Sequence, residues 1–368
     1  MAFSVWTGNG YGLGFKTRRK RRTGLKQLGY QVLKLWVKFG LYCYYKKINV
    51  TGMGHIPKDK PVLLLSNHQN ALMDVLLVAT HLERKPWFIT RSDVFKSGLL
   101  KSLFEYLQML PIYRIRDGKS HLHKNNAIFE KCGTLLTHKE LILIFPEGNH
   151  SLKRKVRPLS KGFTRLISEA YQQNPDLDLM LVPVGQNYAN PQRVGDAALV
   201  NVGKPIAVGN YVDTKVFITE LKQKVFDQLC ELTTHIPEAN YDSVVSEIGA
   251  NGNHFLNSER INSAIANKDL ASLKPNRTNK KRTLNRVLFV LWNFPWILLW
   301  RTLIKPKVPE PEFEATFRFG FALLAYPLIY ILCFPVLHAS LGWTLSILTL
   351  LLHYLTNILM VKLANINL

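Results

Sequence analysis

The chain has 368 residues, room for one large domain or for one domain with an appendage. Its 47% apolar content excludes disorder throughout. The net charge of +23 calls for a polyanionic partner: nucleic acid, an anionic membrane surface or an acidic substrate. Cys43, Cys132, Cys230 and Cys333 are scattered without CxxC spacing, so neither a zinc site nor a disulfide framework is indicated, and a reducing, cytosol-facing location fits.

In chain order, residues 1–23 are Gly-rich and then densely basic ("KTRRKRR"). They lack the apolar core of a signal peptide and read as a basic flexible tail. Residues 24–47 predict a helix with Val32, Leu35, Trp36 and Phe39 on one face. That pattern fits a core-packing helix and an interfacial helix with headgroup-level lysines equally well. From 48 to 215, unalternating apolar runs ("PVLLLS", "PWFIT", "ELILIF", "LDLMLVPV", "ALVNVG") are separated by helix-compatible segments. They predict an α/β domain, with a mostly parallel sheet flanked by helices. Residues 216–285 read as a polar helical linker. Residues 286–368 read as membrane-associated, because 319–361 contains no Asp, Glu, Lys or Arg. A span needs roughly 20 apolar residues, so 319–337 and 342–361 form a transmembrane hairpin that turns at "HASLGW". The run 287–300, interrupted by Asn293 and Pro295, suits an interfacial or buried segment. Arg318 and Lys362 bracket the uncharged stretch, which favours the cytoplasmic side for both ends.

Three predicted strands end in polar tips: "SNHQN", "FPEGNHS" and "VPVGQNY". Ligands bind beyond the carboxyl ends of parallel strands. His68 and His150 are the groups there whose ordinary pKa, about 6.5, lies near neutrality. Six positions separate His68 from Asp74, a spacing that does not pair them on a continuous helix. His68 therefore belongs to the strand-to-helix turn and Asp74 to the helix. A carboxylate on one ring nitrogen fixes the tautomer and leaves the other nitrogen as a base. Ser66 has no GxSxG elbow around it and reads as a turn residue. Asn187 and Tyr188 read as strand-end packing.

The blocks "NHQNALMD", "LPIYR", "FPEGNHS" and "VPVGQNY" resemble, in this order, the four successive blocks of the glycerophospholipid (lysophosphatidate-type) acyltransferase family. The resemblance covers about 48–205 and the preceding helix. It implies acyl transfer from an acyl thioester to a glycerol hydroxyl without a covalent enzyme intermediate. His68 then matches the general base and Asp74 its orienting carboxylate. Arg114 matches the basic residue closing the second block, and Glu147 and Gly148 match the third. Asn67, His150 and Arg154 complete the substrate-binding candidates. Two departures bear on the acceptor. Five residues, "QNALM", separate His68 from Asp74 where the family usually has four, a lengthening that resembles some members acting on glycerol 3-phosphate. The third block has His150 where an arginine is common, so Lys153, Arg154 and Arg157 become alternative sources of phosphate-binding charge.

The expectation is therefore an integral membrane acyltransferase of phospholipid synthesis, with its active site facing the cytoplasm. Its acceptor is 1-acylglycerol 3-phosphate, or alternatively glycerol 3-phosphate. Its donor is acyl-coenzyme A or acyl carrier protein, with no other cofactor and no metal. A non-catalytic basic protein binding membrane or nucleic acid is the competing class. It has no nucleic-acid motif in its favour, so the expected partners are membrane lipids and not nucleic acid.

Overall fold

The computed structural model describes residues 13–96, 98–113, 124–209, 214–250, 255–273 and 282–363. Helix α1 (Leu13–Tyr44) leads into an α/β unit in which β1 (Lys47–Thr51), β2 (Val62–Ser66), α2 (Ala71–His81), β3 (Trp87–Arg91), α3 (Gly98–Tyr106) and β4 (Met109–Ile112) follow in turn. Then come α4 (Lys124–Thr137), β5 (Leu141–Ile144), α5 (Gly162–Gln173), β6 (Met180–Tyr188), β7 (Ala197–Val202), β8 (Ile206–Ala207) and α6 (Lys215–Leu232). The sheet order is β1-β7-β6-β2-β5-β3-β4, with β8 on β6. All pairings are parallel except those of β7 and β8 with β6.

The central strands are continuous apolar runs because both of their faces are covered. Every residue of β2 and β5 is buried. Alternation divides β2 between two cores. Leu63 and Leu65 pack with Phe129 of α4, Phe163 of α5 and Val225 of α6. Val62 and Leu64 pack with Leu41 of α1, Leu77 of α2 and Phe319 near the C-terminus. Each fully buried leucine contributes about 1.5–3 kcal/mol. The strand order β5-β2-β6 sets three parallel carboxyl ends side by side.

Two assignments from sequence change. Residues 13–23, read as part of a flexible tail, are helical and open α1; the run holds Lys and Arg, good helix formers, and no proline. Helix α6 is a layer of the α/β unit and not part of a linker, since Leu221, Val225 and Leu229 enter the core at a spacing of four. Beyond it, α7 (Tyr241–Ala250) and α8 (Ser258–Ala266) enclose a small core around Ile236, Ile248 and Ile261.

The C-terminal region follows. Helix α9 (Arg282–Trp292) meets α10 (Phe294–Leu299) at an 87° bend. The break falls at Asn293, where Pro295 in the first turn of α10 cannot donate a backbone hydrogen bond. Helix α11 (Glu314–Leu363) is two limbs joined at Gly342, whose φ of 72° and ψ of 174° suit glycine. The limbs fold back on each other: Tyr330 Oη and His353 Nδ1 are 2.7 Å apart, and the Phe334 and Trp343 rings are 5.1 Å apart. Both feet return to the α/β unit, through Arg318 Nη1 to Gln192 O at 2.8 Å and Lys362 Nζ to Tyr45 O at 2.8 Å. The expected hairpin and its turn are therefore present. Large apolar residues, such as Leu324, Ile331, Leu332 and Leu352, point outward from it. On α1, Val32, Leu35, Trp36 and Phe39 are exposed as well, which excludes the core-packing alternative for that face.

Candidate functional site

The site is built at the ends of β2, β5 and β6. At the tip of β2, Asn67 ties down the neighbouring strand: its Oδ1 accepts from Gln186 N at 2.7 Å and its Nδ2 donates to Gln186 O at 3.0 Å. Gln186 Nε2 also donates to Ser66 Oγ at 3.0 Å. Ser66 is thus the buried last residue of β2 and not the turn residue expected from sequence, and Asn67 fixes the strand ends beside His68.

His68 follows in the turn, its side chain 15% exposed, with Nδ1 2.8 Å from Asp74 Oδ2. Asp74 is fully buried on the first turn of α2. Its Oδ2 also accepts from Gln69 N and Asn70 N, both at 2.8 Å, and its Oδ1 accepts from Tyr188 Oη at 2.5 Å. A carboxylate that accepts on every side directs the Nδ1 proton of His68 toward itself and leaves Nε2 with its lone pair. The turn between the two residues bends through Ala71, whose φ is 43°. A non-glycine residue held there stores roughly 1–3 kcal/mol of strain.

The end of β5 braces the turn from the other side. The Phe145 ring stacks on the His68 ring at 3.9 Å. Gly148 adopts a φ of 77°, with its N–H on Phe145 O at 3.1 Å, so a turn there needs glycine. Glu147 accepts from His68 N at 3.4 Å and from Arg157 N at 3.2 Å and Nε at 3.1 Å. Burial pushes the Glu147 carboxyl up, and the Arg157 guanidinium opposes that push. Ser151 N and the Gln69 amide close the brace on His68 O and Leu152 O, at 3.1 and 3.0 Å.

The expected phosphate-binding cations divide. Arg154 is a correction: its guanidinium donates to Tyr188 O at 2.6 Å and Ala189 O at 3.0 Å and lies 3.8 Å over the Phe255 ring. Buried there, its pKa is lowered to about 10, and it holds the end of β6 in place. Lys153 pairs with Glu238 at 2.6 Å, and Arg157 pairs with Glu147. Arg114 lies outside the described residues.

His150 is brought to His68, their rings 5.6 Å apart edge to face. Burial lowers its pKa, and the neighbouring His68 lowers it further. Its other neighbours come from a strap far along the chain: Phe313 at 4.7 Å between rings, and Glu310 Oε2 at 3.6 Å from Nε2. The donor atoms of His150, Glu310 and Glu312 lie within 4.8 Å of one another, the one such cluster among the described residues.

Sequence reasoning missed Phe145, Gln186, the strap and the role of Tyr188. For Tyr188 a signal existed: in the strand "VPVGQNY", Gln186 and Tyr188 share a face.

Residues 47–186 match a family model described as Acyltransferase. Glycerol-3-phosphate O-acyltransferase 1 of Saccharomyces cerevisiae is 26% identical over 106 residues, which is 29% of this chain and 14% of that protein. The 1-acyl-sn-glycerol-3-phosphate acyltransferase alpha of Mus musculus is 24% identical over 163 residues, 44% of this chain and 55% of that protein. The chain thus spans between 14% and 55% of the length of these curated relatives. The solved structure of a 1-acyl-sn-glycerophosphate acyltransferase, PlsC, from Thermotoga maritima is similar at a TM-score of 0.42 and 16% identity, over 56% of this chain and 81% of that one.

Proposed function

We propose, from the premise that residues 47–186 are an acyltransferase-family domain, that the protein moves a fatty acyl group from an acyl thioester to the free hydroxyl of 1-acylglycerol 3-phosphate. The observation that carries this reading is the His68–Asp74 pair, 2.8 Å apart, with every other Asp74 contact a donor. A glycerol hydroxyl is a poor nucleophile at neutral pH. His68 Nε2 takes its proton as the oxygen attacks the thioester carbonyl carbon, a contribution typically worth ~10²–10⁴-fold. Asp74 holds the resulting imidazolium and its orientation. When the tetrahedral intermediate collapses, the C–S bond breaks and the proton passes from His68 to the departing thiolate. No side chain is acylated. The thioester, of coenzyme A or acyl carrier protein, is a co-substrate, and no further cofactor takes part.

Arg114, at the close of the second block, is assigned to an anionic group of the substrates, donor or acceptor. The α11 limbs, 28 and 21 residues long (314–341 and 343–363), reach about 42 and about 31 Å at 1.5 Å per residue. Each is long enough for a ~30 Å hydrocarbon core. We assign them as spans, with the basic catalytic unit on the cytoplasmic side. One observation favours glycerol 3-phosphate as acceptor instead: the lengthened His68–Asp74 gap. Purified protein supplied with labelled acyl thioester, and with each acceptor in separate reactions, decides the matter. Label in phosphatidate from lysophosphatidate is expected. Label only from glycerol 3-phosphate would transfer the assignment, and label from neither would end it.

A further inference from the structure

Between α1, the broken α9–α10 helix and the α11 hairpin lies a cavity of about 880 Å³, toward the upper end of the roughly 300–1,000 Å³ of ordinary ligand sites. None of its lining residues falls within 47–186, so it is built by segments outside the matched family domain.

Its two ends differ chemically. Arg193, Arg286, Arg301, Lys305 and Arg318 line the cavity against a single carboxylate, Glu314, and the cations paired with that carboxylate mark one end. Lys305 is 3.4 Å from that carboxylate, and Arg318 also pairs with it. The other end, toward the hairpin turn, is apolar, with Phe334, Ile347, Leu350 and Leu351. From Arg318 to Phe334 the lining follows one α11 limb for sixteen residues, about 24 Å at 1.5 Å per residue. That is the reach of a long fatty chain. Polar atoms on the wall between the ends pair among themselves. Tyr326 Oη donates to Asn293 Oδ1 at 2.7 Å, Asn293 Nδ2 donates to Asn357 Oδ1 at 2.7 Å, and Tyr330 Oη is 2.7 Å from His353 Nδ1. A hydrocarbon chain therefore meets aromatic faces, and the polar groups named here are already paired.

The cationic end adjoins the catalytic pair. The loop that carries Arg193 accepts from Asn70 Nδ2 at Pro191 O, at 2.9 Å, and Asn70 N is itself bound to Asp74. The strap that reaches His150 with Glu310 and Phe313 continues directly into Glu314 and Arg318.

We propose that this cavity receives the fatty chain of the acceptor, a single-chain phosphate-bearing glycerolipid drawn from the bilayer. The phosphate lies at the cationic end and the glycerol hydroxyl faces His68. Both substrates are anionic, and the distance from chain to charge favours the acceptor. The donor's phosphates lie a whole pantetheine arm beyond its thioester, whereas lysophosphatidate carries its phosphate on the same glycerol as its chain, which fits a cationic end directly continuous with an apolar bore. The inference rests on the acyl-transfer reading above.

Ala322 lines the cavity between its two ends, so Ala322→Phe fills the chain's path without touching the catalytic pair. Kinetics with lysophosphatidates of 8 and 18 carbons test the proposal, using full-length protein in detergent. The 18-carbon acceptor should show a KM raised roughly tenfold or more, the size of effect that pocket methylenes produce, with the 8-carbon acceptor within about twofold of wild type. Equal change for both chain lengths would overturn the proposal. A second measurement keeps it testable if turnover fails. Wild-type protein is photolabelled with an 18-carbon lysophosphatidate bearing a terminal diazirine. Label in the cavity-lining peptides should be competed by unlabelled 18-carbon lysophosphatidate and not by glycerol 3-phosphate. Label that neither compound competes would mean ordinary lipid contact and would overturn the inference. Competed label without transfer to any acceptor would leave the cavity standing and reject the acyltransferase reading.

Discussion

At the scale of single residues, the site separates groups that face the substrate from groups that hold them. Tyr188 and Arg154 are of the second kind, and they act on different things. Tyr188 Oη supplies one of the hydrogen bonds that keep Asp74 a buried acceptor. Tyr188→Phe leaves that carboxylate oxygen short of a donor, at a cost of about 1–3 kcal/mol, and weakens the orientation of His68. A lowered unfolding midpoint in denaturant together with a reduced kcat is expected. Arg154 joins the end of β6 to the loop that follows β5. Arg154→Ala removes two charge-assisted bonds of about 1.5–3 kcal/mol each. It should lower stability while leaving the acceptor KM of the folded enzyme within about twofold. A KM raised tenfold at unchanged stability would restore Arg154 to the phosphate site.

At the scale of elements, the loop between β6 and β7 links the His68–Asp74 turn, α1 and the hairpin. Asp196 anchors it: its Oδ1 accepts from Asn190 N at 2.7 Å, and its backbone carbonyl accepts from Lys46 N at 2.8 Å. Burial pushes the Asp196 carboxyl up from 3.8 to about 8. The folded state thus holds a proton that the unfolded chain releases. The stability this contributes is fully present below pH 3.8 and is lost as pH rises through about 8. Asp196→Asn keeps the accepting oxygen and removes the titration. The Tm of the variant relative to wild type should therefore rise between pH 4 and 8. A difference that stays constant across that range would contradict the assignment.

The elements also show what a sequence can and cannot disclose. β2, β5 and β6 are legible because burial on both faces forces unbroken apolar runs. β1 alternates between exposed and half-buried residues at one sheet edge, and β4 is a four-residue edge strand that runs into "LPIYR". Neither carries a signal that stands out from loop. His68 and Asp74 are legible because the turn joining them is local. Their support is not, because Tyr188 lies 114 residues beyond Asp74 and Phe313 belongs to the strap after α10. Such contacts exist only once the sheet order and the hairpin have formed. Arg154 misleads for the same reason: from sequence it is a loop cation, and only the fold buries it.

At the scale of the whole molecule, the proposed function gives the excess positive charge, the exposed apolar stripe of α1 and the apolar hairpin one common reading, a basic unit seated on an anionic bilayer. The cavity and the strap then join the lipid phase to the catalytic turn. All of this depends on His68 acting as the base of an acyl transfer. The most direct measurement is the rate of labelled phosphatidate formation by purified His68→Ala protein, whose fold and membrane association are first checked by circular dichroism and flotation with vesicles. A folded, membrane-bound variant with transfer lowered by at least ~10²-fold, the lower bound for loss of a general base, is the predicted result. Transfer near the wild-type rate would contradict it.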